Sequence, residues 1–139
     1  MKKLSNALLT FAAAAALTTG LGIAQPAPTL AASIPFDFTV GQTKMPAGDY
    51  TITSNPMSGV VIVRDVKCKH NAAVMALPGA QGNRDQSYLT FRVHGDRHYL
   101  AGAWNSAFRS AWGLTPTAAE REAAIAQGTT TKVLVLAKK

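Results

Sequence analysis

The side chains of this 139-residue chain best suited to chemistry are three histidines, one cysteine and seven carboxylates. Cys68 and His70 stand two apart, and on a strand they would share a face. Cys with His is a donor pair for zinc or copper, but two ligands make no site. An ordinary exposed or half-buried thiol accounts for Cys68. Its neighbours Lys67 and Lys69 nevertheless favour the thiolate, which makes Cys68 the candidate reactive thiol, or one half of an intermolecular disulfide in an oxidising compartment. His94 and His98 have the four-residue spacing that suits a metal on a helix. Here they bracket a tight turn, and strand register sends them to opposite faces, so they do not chelate one ion. Asp49, Asp65, Asp85 and Asp96 fall at turns, where Asp is favoured for backbone reasons alone. The glycines also lie in turns, without phosphate-loop spacing. This pattern implies no catalytic centre, no metal site and no cofactor.

Aromatic and basic side chains are the other candidates. Trp104, Trp112, Phe108, Tyr88 and Tyr99 can line a groove for a sugar or an apolar ligand. Core packing explains Trp104 better. Trp112, in a segment without clear periodicity beside Arg109 and Gly113, is the one most suited to a surface role. Arg92, His94, Arg97 and Tyr99 share the outer, wet face of a hairpin and complete the set of candidate surface or ligand contacts. Fourteen Lys and Arg, two of them Lys2 and Lys3, stand against seven Asp and Glu. Such a balance serves solubility and favours acidic partners, including anionic lipid, lipopolysaccharide and acidic polysaccharide. The cations are scattered, which argues against a dedicated nucleic-acid site.

The elements that must position these residues begin after a leader. Lys2-Lys3 precede a nearly uncharged Ala- and Leu-rich run from Leu4 to Ala24, and small residues follow at Ala24 and at Ala31-Ala32-Ser33. This is the layout of a secretory signal peptide. The apolar run is too short and too interrupted by Gly20, Gly22, Pro26 and Pro28 to be a membrane span, so the mature chain is expected to have no transmembrane segment. Cleavage is expected after Ala24 or between Ala31 and Ser33. The later site is favoured because residues 25–32 read as spacer, so residues 1–32 form signal peptide plus spacer and 33–139 a single β domain. Cys68 alone offers no internal disulfide and no lipoprotein cysteine at the cut.

Within that domain, Ile34, Phe36, Phe38 and Val40 alternate with polar residues, the period of a half-buried strand. Met45-Pro46-Ala47-Gly48-Asp49 reads as a turn and Tyr50 to Thr53 as the returning strand. Val60 to Val63 and Val133 to Leu136 are apolar on both faces, as in strands covered on both sides. Residues 70–77 form a weaker strand. Tyr88 to Trp104 is a hairpin with a two-residue loop at Gly95-Asp96. Its register pairs His94 with Arg97, Arg92 with Tyr99, Phe91 with Leu100 and Ser87 with Trp104, so that Leu89, Phe91, Val93, Leu100 and Trp104 form a core face. Thr117-Ala118-Ala119-Glu120 is a capping box and Gly128 a C-cap for an Ala-rich helix that must dock on the sheet. The expected fold is therefore mainly β: a small antiparallel barrel or sandwich of about seven strands, with one short helix before the last strand.

The strand Ile34-Pro35-Phe36-Asp37-Phe38-Thr39-Val40-Gly41, followed by Met45-Pro46-Ala47-Gly48-Asp49-Tyr50, resembles the opening of a group of small exported bacterial β-proteins. In that group a "PF-F-G" strand leads into a "PAG-Y" turn. His94-Gly95-Asp96-Arg97-His98-Tyr99-Leu100 is similar to its later hairpin, and Glu120-Arg121-Glu122 to its helix. The resemblance covers most of the chain after the leader. It implies fold and export, and carries over no functional residue.

These readings point to an exported, non-enzymatic binding or structural module, periplasmic or extracellular. Its expected partners are anionic envelope components or another protein chain. A carrier of a small apolar ligand in a barrel is the first alternative. The second is a self-assembling subunit, in which the C-terminal strand lies at an edge and pairs with another copy to give a homo-oligomer.

Overall fold

The computed structural model describes residues 28–83 and 85–138. The leader reading for residues 1–27 lies outside them. The described chain forms eleven strands and one helix: β1 (Thr29–Ile34), β2 (Phe38–Val40), β3 (Thr43–Met45), β4 (Gly48–Ser54), β5 (Val60–Asp65), β6 (Asn71–Met75), β7 (Leu77–Pro78), β8 (Tyr88–His94), β9 (Arg97–Asn105), β10 (Ser110–Gly113), α1 (Ala118–Gln127) and β11 (Thr131–Leu136). The protein is mainly β, with its helix just before the last strand. There are two sheets, one curled into a half-barrel. The first runs β1-β4-β5-β6. The second runs β11-β8-β9-β10-β7, with the β2–β3 hairpin joined to β9 by a single parallel bridge between Thr39 and Tyr99. The surplus over seven strands has local causes. The run expected as one strand from Ile34 breaks at Pro35, whose ring removes a ladder donor. The run 70–77 divides before Leu77, and β3 and β10 are too short to show a period.

The start of the domain corrects the sequence reading. Residues 29–32 are not spacer. Leu30, Ala32 and Ile34 alternate into the core at 7%, 1% and 2% exposure, and all six residues of β1 pair with β4. Of the small residues that resemble a cleavage motif, Ala32 packs in the core, and Ala31 and Ser33 point outward. A cut between Ala31 and Ser33 would divide this strand. From Pro35 the chain detours through the β2–β3 hairpin, and Asp37 closes the detour by accepting the Ala47 N–H at 2.9 Å.

The space between the sheets is filled by side chains. Val40, Val63, Leu89 and Phe91 are fully buried. Phe91 meets Phe36 and Phe38 edge-on at 5.0 and 5.5 Å, and Phe38 meets Tyr50 in the same way at 5.1 Å. The strands expected to be covered on both faces are covered on one. Val61 and Val63 are buried whereas Val60 and Ile62 are half-buried. In β11, Val133 and Val135 pack on the core while Leu134 and Leu136 stay exposed. The helix covers neither strand; it lies over β8.

The β8–β9 register matches the expected one from His94–Arg97 to Phe91–Leu100. A bulge then adds Ala101, so Thr90 pairs with Gly102 and Tyr88, not Ser87, pairs with Trp104. One extra residue flips every later side chain. Trp104 therefore leaves the core face. It is buried on the outer face instead, where its indole N–H donates to the Asn83 carbonyl.

Candidate binding site

Residues two apart on a strand share a face, so β8 presents Tyr88, Thr90, Arg92 and His94 together on the outer side of the second sheet. Helix α1 supplies the partner for the last two. Thr117 caps it as expected, its hydroxyl accepting the Glu120 N–H at 3.1 Å, and Gly128 closes it with φ 75° and a bond to the Ala124 carbonyl. Only half of the capping box forms, however. The Glu120 carboxylate turns down to the sheet, where Oε2 accepts from Arg92 Nε at 2.6 Å and from His94 Nε2 at 2.9 Å. Oε1 accepts from Arg92 Nη2 at 3.1 Å, and the same nitrogen donates to the Leu114 carbonyl at 3.0 Å. The other ring nitrogen of His94, Nδ1, is hydrogen-bonded with the Thr130 hydroxyl at 3.0 Å.

His94 is 2% exposed and Glu120 3%. Burial pushes the Glu120 carboxyl up, but the hydrogen bonds from Arg92 and His94, and the charges behind them, outweigh it and hold the group below its ordinary value. The row Thr130–His94–Glu120 has the hydroxyl–imidazole–carboxylate order of an activated nucleophile. Its groups are spent otherwise. Arg92 neutralises the carboxylate, the ring is sealed under the helix, and the whole set clamps α1 and the start of β11 to the sheet. No group of three or more His, Cys, Asp or Glu side chains placed to hold a metal occurs among the described residues.

Beside this clamp the outer face is open. A groove of about 390 Å³ runs over Thr90, Gly102 and Gly113, with Tyr88, Arg92, Lys132 and Leu134 around it. Its floor requires glycine, because a Cβ on Gly102 would lie 2.4 Å from the Trp112 carbonyl oxygen. The groove thus combines three aromatic residues, Tyr88, Trp104 and Trp112, with one exposed lysine, a half-buried guanidinium and an exposed leucine.

The structure redistributes the candidate residues. Arg92 lines the groove, but its charge faces Glu120. His94 and Tyr99, expected on a wet face, are both buried, His94 beneath the helix and Tyr99 beside it, with their ring centres 5.6 Å apart. Arg97 is exposed at the hairpin tip. Trp112, expected at the surface, lies on β10 at 8% exposure within the core, because its partner Ala103 sits on the Leu89 face. His98 is on the opposite side from His94 and stacks on Phe36 at 3.9 Å. Cys68 is exposed, with φ 58°, in the turn after β5, so it and His70 do not share a strand face. Glu120 and Thr130 were not singled out as site residues by sequence. Glu120 reads as a cap until the helix is placed, and nothing local marks Thr130. No helix among the described residues is long and apolar enough to cross a membrane. No protein-family model matches this chain, and neither does any curated protein or solved structure.

Proposed function

We propose that this chain is an exported, non-enzymatic binding module of the bacterial envelope or exterior, with the outer-face groove as its ligand surface. The observation that carries the reading is the expenditure of the buried ionisable groups. Arg92, His94 and Glu120 satisfy one another and hold the helix, which leaves the groove beside them, not a reactive centre, open to solvent. The mixture of Tyr88, Lys132 and Leu134 suits a ligand with an apolar or ring body and an acidic group. The filled core counts against a carrier with its ligand inside the barrel, since Phe36, Phe38 and Phe91 occupy that space.

Export is part of the same proposal, and cleavage after Ala24 is the version that leaves β1 whole. Intact-mass measurement on the periplasmic or culture fraction is expected to find a chain starting at Gln25. Recovery with Met1 intact would overturn export, and a start at residue 32 or 33 would overturn the cut. Binding is tested with acidic polysaccharide on the same protein, where Lys132→Glu together with Leu134→Asp is expected to abolish retention. Unchanged retention would move the ligand surface elsewhere.

A second reading, self-association, has one observation in its favour. β11 ends its sheet and exposes Leu134 and Leu136 at 58% and 55%. Beyond it, the Lys138 N–H reaches the Ala31 carbonyl of the other sheet at 2.7 Å.

A further inference from the structure

The two ends of the molecule differ in chemistry. Strand pairing gathers the turn 55–59, the segment 75–78 and the turn 106–109 at one end, where residues of the first two and of β10 surround a groove of about 380 Å³. Met57, Met75, Leu77 and Phe108 project there at 96%, 68%, 63% and 50% exposure, four of the eight large hydrophobic residues the described chain exposes. At the opposite end, the turn 66–70, the hairpin tip and β3 surround a groove of about 550 Å³ whose lining includes Asp37, Lys44, His70, Asp96 and Arg97. Exposed apolar side chains on separate turns at one pole of a small domain mark a contact surface.

The course of the chain identifies what covers it. The Pro28 carbonyl accepts the Ser54 N–H at 3.0 Å, so the described chain starts at the apolar end, beside the turn that carries Met57. The apolar run Leu4 to Ala24 lies just upstream. The three residues 25–27 span about 10 Å at most. On the export reading, that run enters the bilayer before it is cut off, and the Met57 end is the part of the domain nearest to it. Arg109 is exposed directly after Phe108 in the third turn, and the chain as a whole is cationic, which favours anionic headgroups.

We infer that this end of the domain seats on an anionic lipid surface, with Met57, Leu77 and Phe108 entering the boundary between headgroups and acyl chains. The inference rests on the envelope reading above and names the partner of a second surface, distinct from the outer-face groove.

The test uses the chain from Gln25 onward, which keeps every described strand and the helix, with phosphatidylglycerol and phosphatidylcholine vesicles. Co-sedimentation with phosphatidylglycerol is expected, reduced at least tenfold in Met57→Asp/Leu77→Asp. Both substitutions fall on exposed positions, and circular dichroism checks the fold. A polarity-sensitive dye on the natural Cys68 is expected to keep its emission on adding vesicles, while the same dye in Met57→Cys/Cys68→Ser shifts to the blue. Four results would overturn the inference: no sedimentation, equal binding to both lipids, a shift at residue 68 alone, or a dimer that the double variant dissolves without lipid. None of them bears on export, which intact mass reads separately.

Discussion

On the inner face of the β8–β9 hairpin, Leu89, Phe91 and Leu100 are each at most 2% exposed among apolar neighbours. On the outer face of the same strands, His94 is equally buried, but against a carboxylate and a hydroxyl. The inner face is held by area removed from water, which is non-directional and indifferent to protonation. The outer face is held by a set of hydrogen bonds in which each donor needs its acceptor, because an unpaired polar group in such a place costs its full desolvation. Further along the outer face, on the neighbouring strand β11, the Leu134 side chain is exposed. The two faces of this sheet thus show three regimes, and substitution should separate them.

The largest effect is expected inside. Phe91→Ala should cost roughly 3–5 kcal/mol in urea unfolding, since it removes the ring that Phe36 and Phe38 both pack against. That is enough to unfold a marginal domain, and a loss below about 1 kcal/mol would mean that this face is not the core. Next comes the clamp. Glu120→Gln should cost about 1.5–3 kcal/mol near neutral pH, because the charged acceptor of Arg92 and His94 is replaced by a neutral one.

Acid then distinguishes the two faces. The Glu120 carboxyl is held below its ordinary value of 4.5 in the fold, so its contribution is complete above that value and disappears as pH falls through the lower, folded value. The stability gap between wild type and Glu120→Gln should therefore close below about pH 4.5. The gap for Phe91→Ala should not. A clamp gap that widened on acidification would reverse the electrostatic assignment.

A smaller effect belongs to the helix cap. Thr117→Ala should cost about 1 kcal/mol in thermal unfolding, with the Glu120 N–H losing its acceptor. The smallest is Leu134→Lys, expected within about 0.5 kcal/mol of wild type, as for an ordinary surface position. The same variant reports on self-association. If light scattering finds the wild type associated and Leu134→Lys monomeric, β11 is an interface; a wild type that stays monomeric at high concentration removes that reading.

Much of this arrangement was legible in the sequence. The Gly95-Asp96 loop, the pairing of Phe91 with Leu100, the helix with its Thr117 and Gly128 caps, and its place before the last strand all follow from local pattern. The two tryptophans did not, and their roles are exchanged. Trp104 was read as core and lies outside under the 79–83 segment; Trp112 was read as surface and lies in the core. A bulge at Ala101 is enough to move Trp104, and its one local sign is Gly102, since a glycine inside a strand marks either a bulge or a close backbone approach without saying which. The candidate site was illegible for a similar reason. Arg92, His94 and Glu120 are separated by up to 28 residues, and each alone has an ordinary explanation as hairpin surface or helix cap.

What the sequence determined by itself is the class of each segment, because period, turn residues and caps act over a few neighbours and are written in neighbouring letters. What only the tertiary structure decided is which side of each segment meets what. The strand at Thr29 is part of the fold because β4 pairs with it along its whole length. The His94 end of the polar face of β8 is dry because the helix lies over it, and β11 keeps two leucines in water because the helix does not cover them. Burial is a property of pairs of surfaces brought together from distant parts of the chain, and no window of sequence contains both members of the pair.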